Sequence, residues 1–158
     1  MWGFSSFRGT FGVLLLFFSL NFFAQKFTPA KWTFTYKEIN DTLGRLEIKA
    51  ALEPDWHIYS QAQSGNGPLP TVFRFTTTPE FNLKGDMQEP DPYRIHDDFF
   101  DADVAMFSIE VVFTQKVIKN TNVAFTIYGE VEYMACNDQE CLPPIVTKFS
   151  VKVPAPGP

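Results

Sequence analysis

Apolar and polar residues alternate along much of the chain after its first 25 residues. In one segment, Trp32, Phe34 and Tyr36 alternate with polar neighbours, and 46–52 repeats the pattern with Leu, Ile, Ala and Leu. Successive side chains of a strand point to opposite faces, so this period of two predicts strands with one buried face. The Asn, Asp and Gly residues of 40–44 favour turn conformations, so we expect the two strands to form a hairpin.

Four later segments show a similar alternation, namely 71–75, 106–113, 123–135 and 147–153. No stretch of comparable length has the 3.6-residue period of an amphipathic helix, and Pro and Gly recur between the predicted strands. The pattern predicts an all-β domain, an immunoglobulin-like two-sheet antiparallel β-sandwich, with a small closed barrel as the alternative. Two long predicted loops, 61–70 and 90–103, are candidate functional segments.

The amino-terminal segment has the composition of an export signal. Arg8 precedes an apolar run over 11–23, which at about 13 residues is shorter than the roughly 20 that a membrane-spanning helix requires. We therefore expect a signal peptide at 1–24, cleaved after Ala24, and a single domain at 25–158. An uncleaved anchor is the alternative. Either reading places the domain in the periplasm or cell envelope.

The charge balance excludes some classes of partner. The formal net charge is -5, and there is no basic cluster of the kind that binds phosphate backbones. This argues against nucleic acid as a partner. We expect no cofactor.

Cys136 and Cys141 are the only cysteines, and in an oxidising compartment two cysteines this close will pair. Closing a loop of about six residues adds only roughly 2 kcal/mol in the chain-entropy model. The spacing alone is equally compatible with a redox-active pair and with a structural clip on a turn. A zinc site completed by His57 and His96 is a third, weaker reading.

Three segments resemble the amino-terminal periplasmic domain of the disulfide reductase DsbD. They are Cys-Asn-Asp-Gln-Glu-Cys-Leu-Pro-Pro at 136–144, Trp-His-Ile-Tyr-Ser at 56–60 with Gly-Pro-Leu-Pro-Thr at 67–71, and His-Asp-Asp-Phe-Phe at 96–100. They occur in the family's order over most of the chain. The resemblance implies an immunoglobulin-like domain that takes electrons from a membrane-embedded thiol reductase. It would pass them to thioredoxin-like or other disulfide-bonded envelope proteins.

The resemblance also implies roles for individual residues. Cys136 and Cys141 match the redox pair, Phe99 matches an aromatic cap over it, and Asp97 and Asp98 match acidic residues that accompany the cap. A nearby carboxylate keeps a thiol protonated and unreactive, because it disfavours the thiolate. Two tyrosines, Tyr59 and Tyr133, are candidates for lining the site.

The sequence departs from the family pattern in two respects. Four residues separate the cysteines, where the better known members have five. The sequence also contains neither a multi-span membrane region nor a thioredoxin-like Cys-X-X-Cys domain, so we expect a separate membrane partner. Two hypotheses follow: a thiol-disulfide exchange domain, or a non-catalytic β-sandwich binding module with a structural disulfide.

Overall fold

A computed structural model of the chain describes residues 27–63, 67–98 and 100–157. The described residues form strands and connecting loops, and no helix among them is long and apolar enough to cross a membrane. The proposed signal peptide, 1–24, lies outside them. The strands are β1 Ala30–Glu38, β2 Leu43–Leu52, β3 His57–Tyr59, β4 Val72–Phe75, β5 Phe81–Gln88, β6 Tyr93–Asp97, β7 Ala102–Ser108, β8 Glu110–Lys119, β9 Phe125–Tyr133, β10 Ala135–Cys136 and β11 Ile145–Val153.

Strands β1 and β2 form the predicted hairpin. They pair antiparallel, with Trp32 opposite Ala50 and Phe34 opposite Ile48. The side chain of Asn40 holds the turn, because its Oδ1 accepts hydrogen bonds from the backbone N–H groups of Thr42 (3.1 Å) and Leu43 (2.9 Å). At a chain reversal, an asparagine side chain of this kind accepts hydrogen bonds from backbone N–H groups that have no partner on the neighbouring strand.

The strands form three antiparallel sheets, and two of these face each other as a sandwich. The first sheet has the order β1-β2-β8-β5, and the third has the order β11-β9-β4. Aromatic rings from both sheets meet between them: the ring centroids of Phe34 and Phe149 lie 4.5 Å apart, and those of Phe73 and Phe113 lie 4.9 Å apart. The predicted immunoglobulin-like antiparallel β-sandwich is confirmed, and the three sheets are open, which excludes the closed barrel for the described residues.

The second sheet, with the order β10-β3-β7-β6, joins both layers. Its strand β7 continues into β8 after Ile109, and β9 continues into β10 after Met134. One face contributes Ile58, Phe107 and Ala135 to the main core. The other face carries a separate small cluster formed by Tyr59, Val104, Met106 and Cys136. This second face presents the cysteine pair.

Three strands were not predicted, and the first of them, β3, has only three residues, too few to show an alternation. Strand β5 is mostly exposed and contains a pairing irregularity between Lys84 and Gln88, so its sequence lacks the alternation of a half-buried strand. Strand β6 lies inside the predicted long loop 90–103, and four of its five residues are exposed. Both are edge strands held by backbone hydrogen bonds, which leave little trace in a hydrophobic pattern.

Two predicted strand limits were wrong. The predicted strand 106–113 is broken at Ile109, which has a left-handed φ of 68°. The predicted strand 123–135 begins only at Phe125 and is interrupted at Met134, so Val123 lies outside the strand and is 65% exposed. An apolar alternation marks possible strand positions, but it carries no information about breaks where the chain changes sheets.

Candidate functional site

The two cysteines close a short hairpin at the end of β10. Their sulfur atoms are bonded at 2.08 Å, and their Cα atoms lie 4.1 Å apart. The backbone N–H of Asn137 donates to the carbonyl of Glu140 (2.9 Å), and Leu142 N–H donates to the carbonyl of Ala135 (2.9 Å). Asn137 Oδ1 also accepts from the N–H groups of Gln139 and Glu140, both at 2.9 Å. The predicted disulfide is confirmed, and its turn is well held by hydrogen bonds.

The two sulfur-bearing residues differ in their access to solvent. Cys136 is 2% exposed and belongs to the small cluster on the second sheet. Cys141 is partly exposed. Attack on a disulfide, or by a thiolate, requires access to the sulfur. Cys141 is therefore the residue that an incoming protein can reach first.

His57 lies directly across the strand pair from Cys136. The register of β3 and β10 places these residues opposite each other, and both line the cleft described below. His57 Nε2 lies 3.1 Å from the hydroxyl oxygen of Tyr59. Partial burial holds the pKa of His57 below its ordinary value, although Asp97 and Asp138 oppose this effect. The imidazole is thus predominantly neutral at neutral pH.

Tyr59 belongs to the small hydrophobic cluster that contains Cys136. It is fully buried, and its ring meets that of Phe100 edge-on with 6.2 Å between centroids. Burial raises the pKa of the Tyr59 hydroxyl far above its ordinary value, and the charge of Asp97 adds to this effect. The hydroxyl is therefore protonated and can donate to His57. Tyr59 is thus close to Cys136, although it is not among the residues that line the cysteine cleft.

The acidic pair Asp97 and Asp98 lies beside the disulfide. Both residues line a cleft of about 330 Å³ together with Cys136 and Cys141. Asp97 Oδ1 accepts a hydrogen bond from the backbone N–H of Phe100 (3.3 Å), which ties the loop after β6 to the end of the strand. Asp98 is exposed. The predicted cap residue, Phe99, lies outside the described residues, while its neighbour Phe100 packs against the cysteine cluster.

The structure places Tyr133 away from the cysteine cleft, whereas His96 lines it. Tyr133 is buried in the main core, with its ring centroid 5.2 Å from that of Trp32, and it is not among the residues lining the cysteine cleft. His96 is exposed and pairs with Asp103 (3.2 Å) and Asp101 (3.5 Å). Its hydrogen bond with Asp103 is the main reason that its pKa is raised. Within the described ranges, no group of three or more His, Cys, Asp and Glu side chains is placed to hold a metal ion.

The sequence indicates His57 only as a weak candidate zinc ligand, and it indicates no role for Phe100 or Met106. Met106 pairs with Tyr59 across β3 and β7 and is 1% exposed beside Cys136. The alternation of His57 and Tyr59 on one strand face was the available signal, but it requires the register of β10 to connect it with the cysteines.

The sequence matches no curated protein. The amino-terminal domain of DsbD from Neisseria meningitidis in the reduced form has a TM-score of 0.50 at 13% identity, covering 80% of this chain and 86% of that one. The N-terminal periplasmic domain of ScsB from Proteus mirabilis has a TM-score of 0.51 at 18% identity, covering 80% of this chain and 47% of that one.

At these identities the two solved structures show a shared fold alone. The family model described as "Thiol:disulfide interchange protein DsbD, N-terminal" matches residues 24–153. This match covers most of the chain, including all three segments that carry the resemblance. The chain belongs to the family of DsbD amino-terminal domains.

Proposed function

We propose that this protein is a periplasmic thiol-disulfide exchange domain that relays electrons through Cys136 and Cys141. The observation that carries the proposal is the asymmetry of the pair: a partly exposed Cys141 is bonded to a buried Cys136 at an acidic cleft. A carrier of this kind needs one sulfur that a partner can reach and one that is held behind it. Membership of the DsbD amino-terminal family supports the same chemistry.

The exchange proceeds in two displacements. In the dithiol form, the Cys141 thiolate attacks one sulfur of the client disulfide, and the other client sulfur leaves as a thiolate. Cys136 then loses its proton and attacks Cys141, which releases the second client sulfur and forms the Cys136–Cys141 bond. The client gains two electrons and two protons, and the domain loses the same number.

The loop after β6 is proposed to regulate access to the pair. Phe99 acts as the aromatic cap, and Asp97 and Asp98 hold the resting thiols protonated. Supporting observations are that both aspartates line the cysteine cleft and that the adjacent Phe100 packs on the cysteine cluster. A docking partner would displace this cap and expose Cys141.

The source and destination of the electrons complete the proposal. A membrane-embedded thiol reductase regenerates the dithiol, and thioredoxin-like or other disulfide-bonded proteins of the envelope are the clients. Residues 1–24 serve as the signal peptide that exports the domain at 25–158.

Trapping with single cysteine variants tests the exchange. Cys136→Ser leaves the accessible Cys141 without its resolving partner, so it should accumulate mixed disulfides with client proteins on a non-reducing gel. Cys141→Ser leaves only the buried Cys136 and should trap far less. The double variant is the control for non-specific bands. If neither single variant captures a protein, the proposed function is wrong.

The alternative, a binding module with a structural clip, is favoured by the hydrogen-bonded turn around Asn137. It predicts a pair that resists physiological dithiols. Equilibrating the purified protein with glutathione redox buffers separates the two functions, since structural bridges have potentials below about -300 mV. A midpoint well above this value supports the relay.

A further inference from the structure

A second groove adjoins the cysteine cleft on the same face of the domain. We call it the side groove; it has a volume of about 490 Å³ and shares His57 and Asp138 with the cleft. The side groove is also lined by Glu53, Asp55, Tyr93 and Ile109. A chain bound at Cys141 can therefore continue into the side groove.

Ile109 has an unfavourable conformation at the rim of this groove. It has a left-handed φ of 68° and is 80% exposed. L-residues other than glycine rarely adopt this region, and a β-branched side chain fits it poorly. The backbone there is held because the Ile109 carbonyl accepts from Leu52 N–H at 2.8 Å. The Ile109 side chain contributes little to the packing of the fold, and its exposed surface is available for contact with a partner.

The groove combines apolar and acidic surface. Tyr93 is 46% exposed, and its hydroxyl oxygen lies 2.6 Å from Ser108 Oγ, which fixes the ring beside Ile109. The carboxylates of Glu53, Asp55 and Asp138 also line the groove. None of the described residues that line it is Lys or Arg. An occupant with an apolar side chain and a positive charge complements this surface.

The strand register sets the distance between the groove and the cysteines. Cys136 pairs with His57, and His57 pairs with Ser108, the residue before Ile109. Cys141 is bridged to Cys136 on the side away from His57, so three strand spacings, about 14 Å, separate Cys141 from Ser108. An extended peptide covers about 3.3–3.6 Å per residue, so roughly four residues separate a side chain on Ile109 from a cysteine bound at Cys141.

From this surface we propose that the side groove binds the polypeptide flanking the reacting cysteine of the redox partner. It selects an apolar side chain about four residues from that cysteine and an adjacent Lys or Arg. The apolar side chain packs on Ile109 and Tyr93, and the cation faces Glu53, Asp55 and Asp138. This inference rests on the proposed function, because it assigns substrate selection to the same site.

Synthetic peptides test the selection directly. Each peptide carries one cysteine as a mixed disulfide with thionitrobenzoate, and reduced protein releases this chromophore. The first peptide has Leu four residues from the cysteine and a neighbouring Lys, with versions on either side of the cysteine. The second has Glu for Lys, and the third has Ser for Leu. In one orientation, the first should react about tenfold faster than the others at subsaturating peptide, equivalent to about 1.4 kcal/mol.

Ile109→Gly separates recognition from folding. Removing the strained side chain should leave the urea midpoint unchanged or raised, yet reduce the rate of the leucine peptide to that of the serine peptide. Ile39→Gly is the matched control, since Ile39 is also an exposed isoleucine at 51% but does not line the groove. It should retain the full preference.

Several outcomes would overturn the assignment. One is equal reaction of all three peptides with the wild-type protein; another is a leucine preference that survives in Ile109→Gly. A concentration-dependent dimer that Ile109→Gly abolishes would show that a second copy occupies the groove. Exchange itself is checked with a small aromatic disulfide, dithiobis(nitrobenzoate). If neither this reagent nor any peptide reacts, thiol exchange and the groove assignment both fail, whereas reagent reactivity without peptide preference refutes only the groove.

Discussion

Removing the disulfide should weaken the fold without unfolding it. The bond closes a ring of about six residues, for which the chain-entropy model gives a stabilisation of about 2 kcal/mol. The turn keeps other restraints when the bond is absent, because the Asn137 and Leu142 hydrogen bonds do not depend on the sulfurs. The main core, with fully buried Ile48 and Phe113, contains neither cysteine. An electron carrier must stay folded in both redox states, and this small ring permits it.

The measurement is urea unfolding of three samples: oxidised protein, dithiol protein, and the double variant Cys136→Ser with Cys141→Ser. The free energy of unfolding should fall by about 2 kcal/mol in both altered samples. For a domain of this size, the melting temperature should fall by about 5–8 °C. Agreement between the dithiol protein and the double variant would show that the bond, rather than the side-chain substitutions, causes the change.

A loss above about 4 kcal/mol, or the disappearance of a cooperative transition, would refute this reasoning. It would mean that the bond supports long-range packing, which is the behaviour of a structural clip. It would also remove the physical basis for cycling between the two redox states.

Three further predictions concern the surroundings of the site. Lowering the pH from about 7.5 to about 5.5 should destabilise His57→Gln less than the wild type, because the lowered pKa of His57 means that the folded state binds fewer protons. His96→Gln should lose more stability than the wild type over the same pH range, since the raised pKa of His96 makes its protonation stabilising in the wild type. Urea midpoints at each pH test both histidine variants, and a reversed trend would contradict the prediction for that variant. Asn137→Ala should shift the dithiol-disulfide equilibrium towards the dithiol by roughly fivefold in glutathione buffers. The Asn137 hydrogen bonds order the turn in the dithiol form, so without them closing the disulfide must also order the turn, at a cost of about 1 kcal/mol. Asn82→Ala is the control, and equal midpoints in Asn137→Ala and the wild type would contradict the prediction. Phe113→Ala should lower the free energy of unfolding by about 3–5 kcal/mol, because this fully buried ring lies between Phe73 and Phe107. The exposed Tyr128→Ala should change it little, and similar losses in both would show that the core is misassigned.

The sequence alone predicted the fold class, the first hairpin, the disulfide and the family. The alternating residues of β1 and β2 and the asparagine turn between them are local features, and local features survive in a linear pattern. The cysteine segment was recognisable for the same reason, since all its chemistry lies within 136–144. The roles of Asp97, Asp98 and Phe99 rest on the resemblance and remain predictions.

The tertiary structure decided which residues meet at the cysteines. His57 faces Cys136 only because β3 and β10 pair in one register, and Tyr133 faces the main core although it lies three residues before Cys136 in sequence. The break at Met134 separates those two environments. The edge strands β5 and β6 were missed because backbone pairing, which any residue can supply, holds them. Contacts between distant segments depend on register and on where the chain changes sheets, and neither is encoded in the spacing of apolar residues.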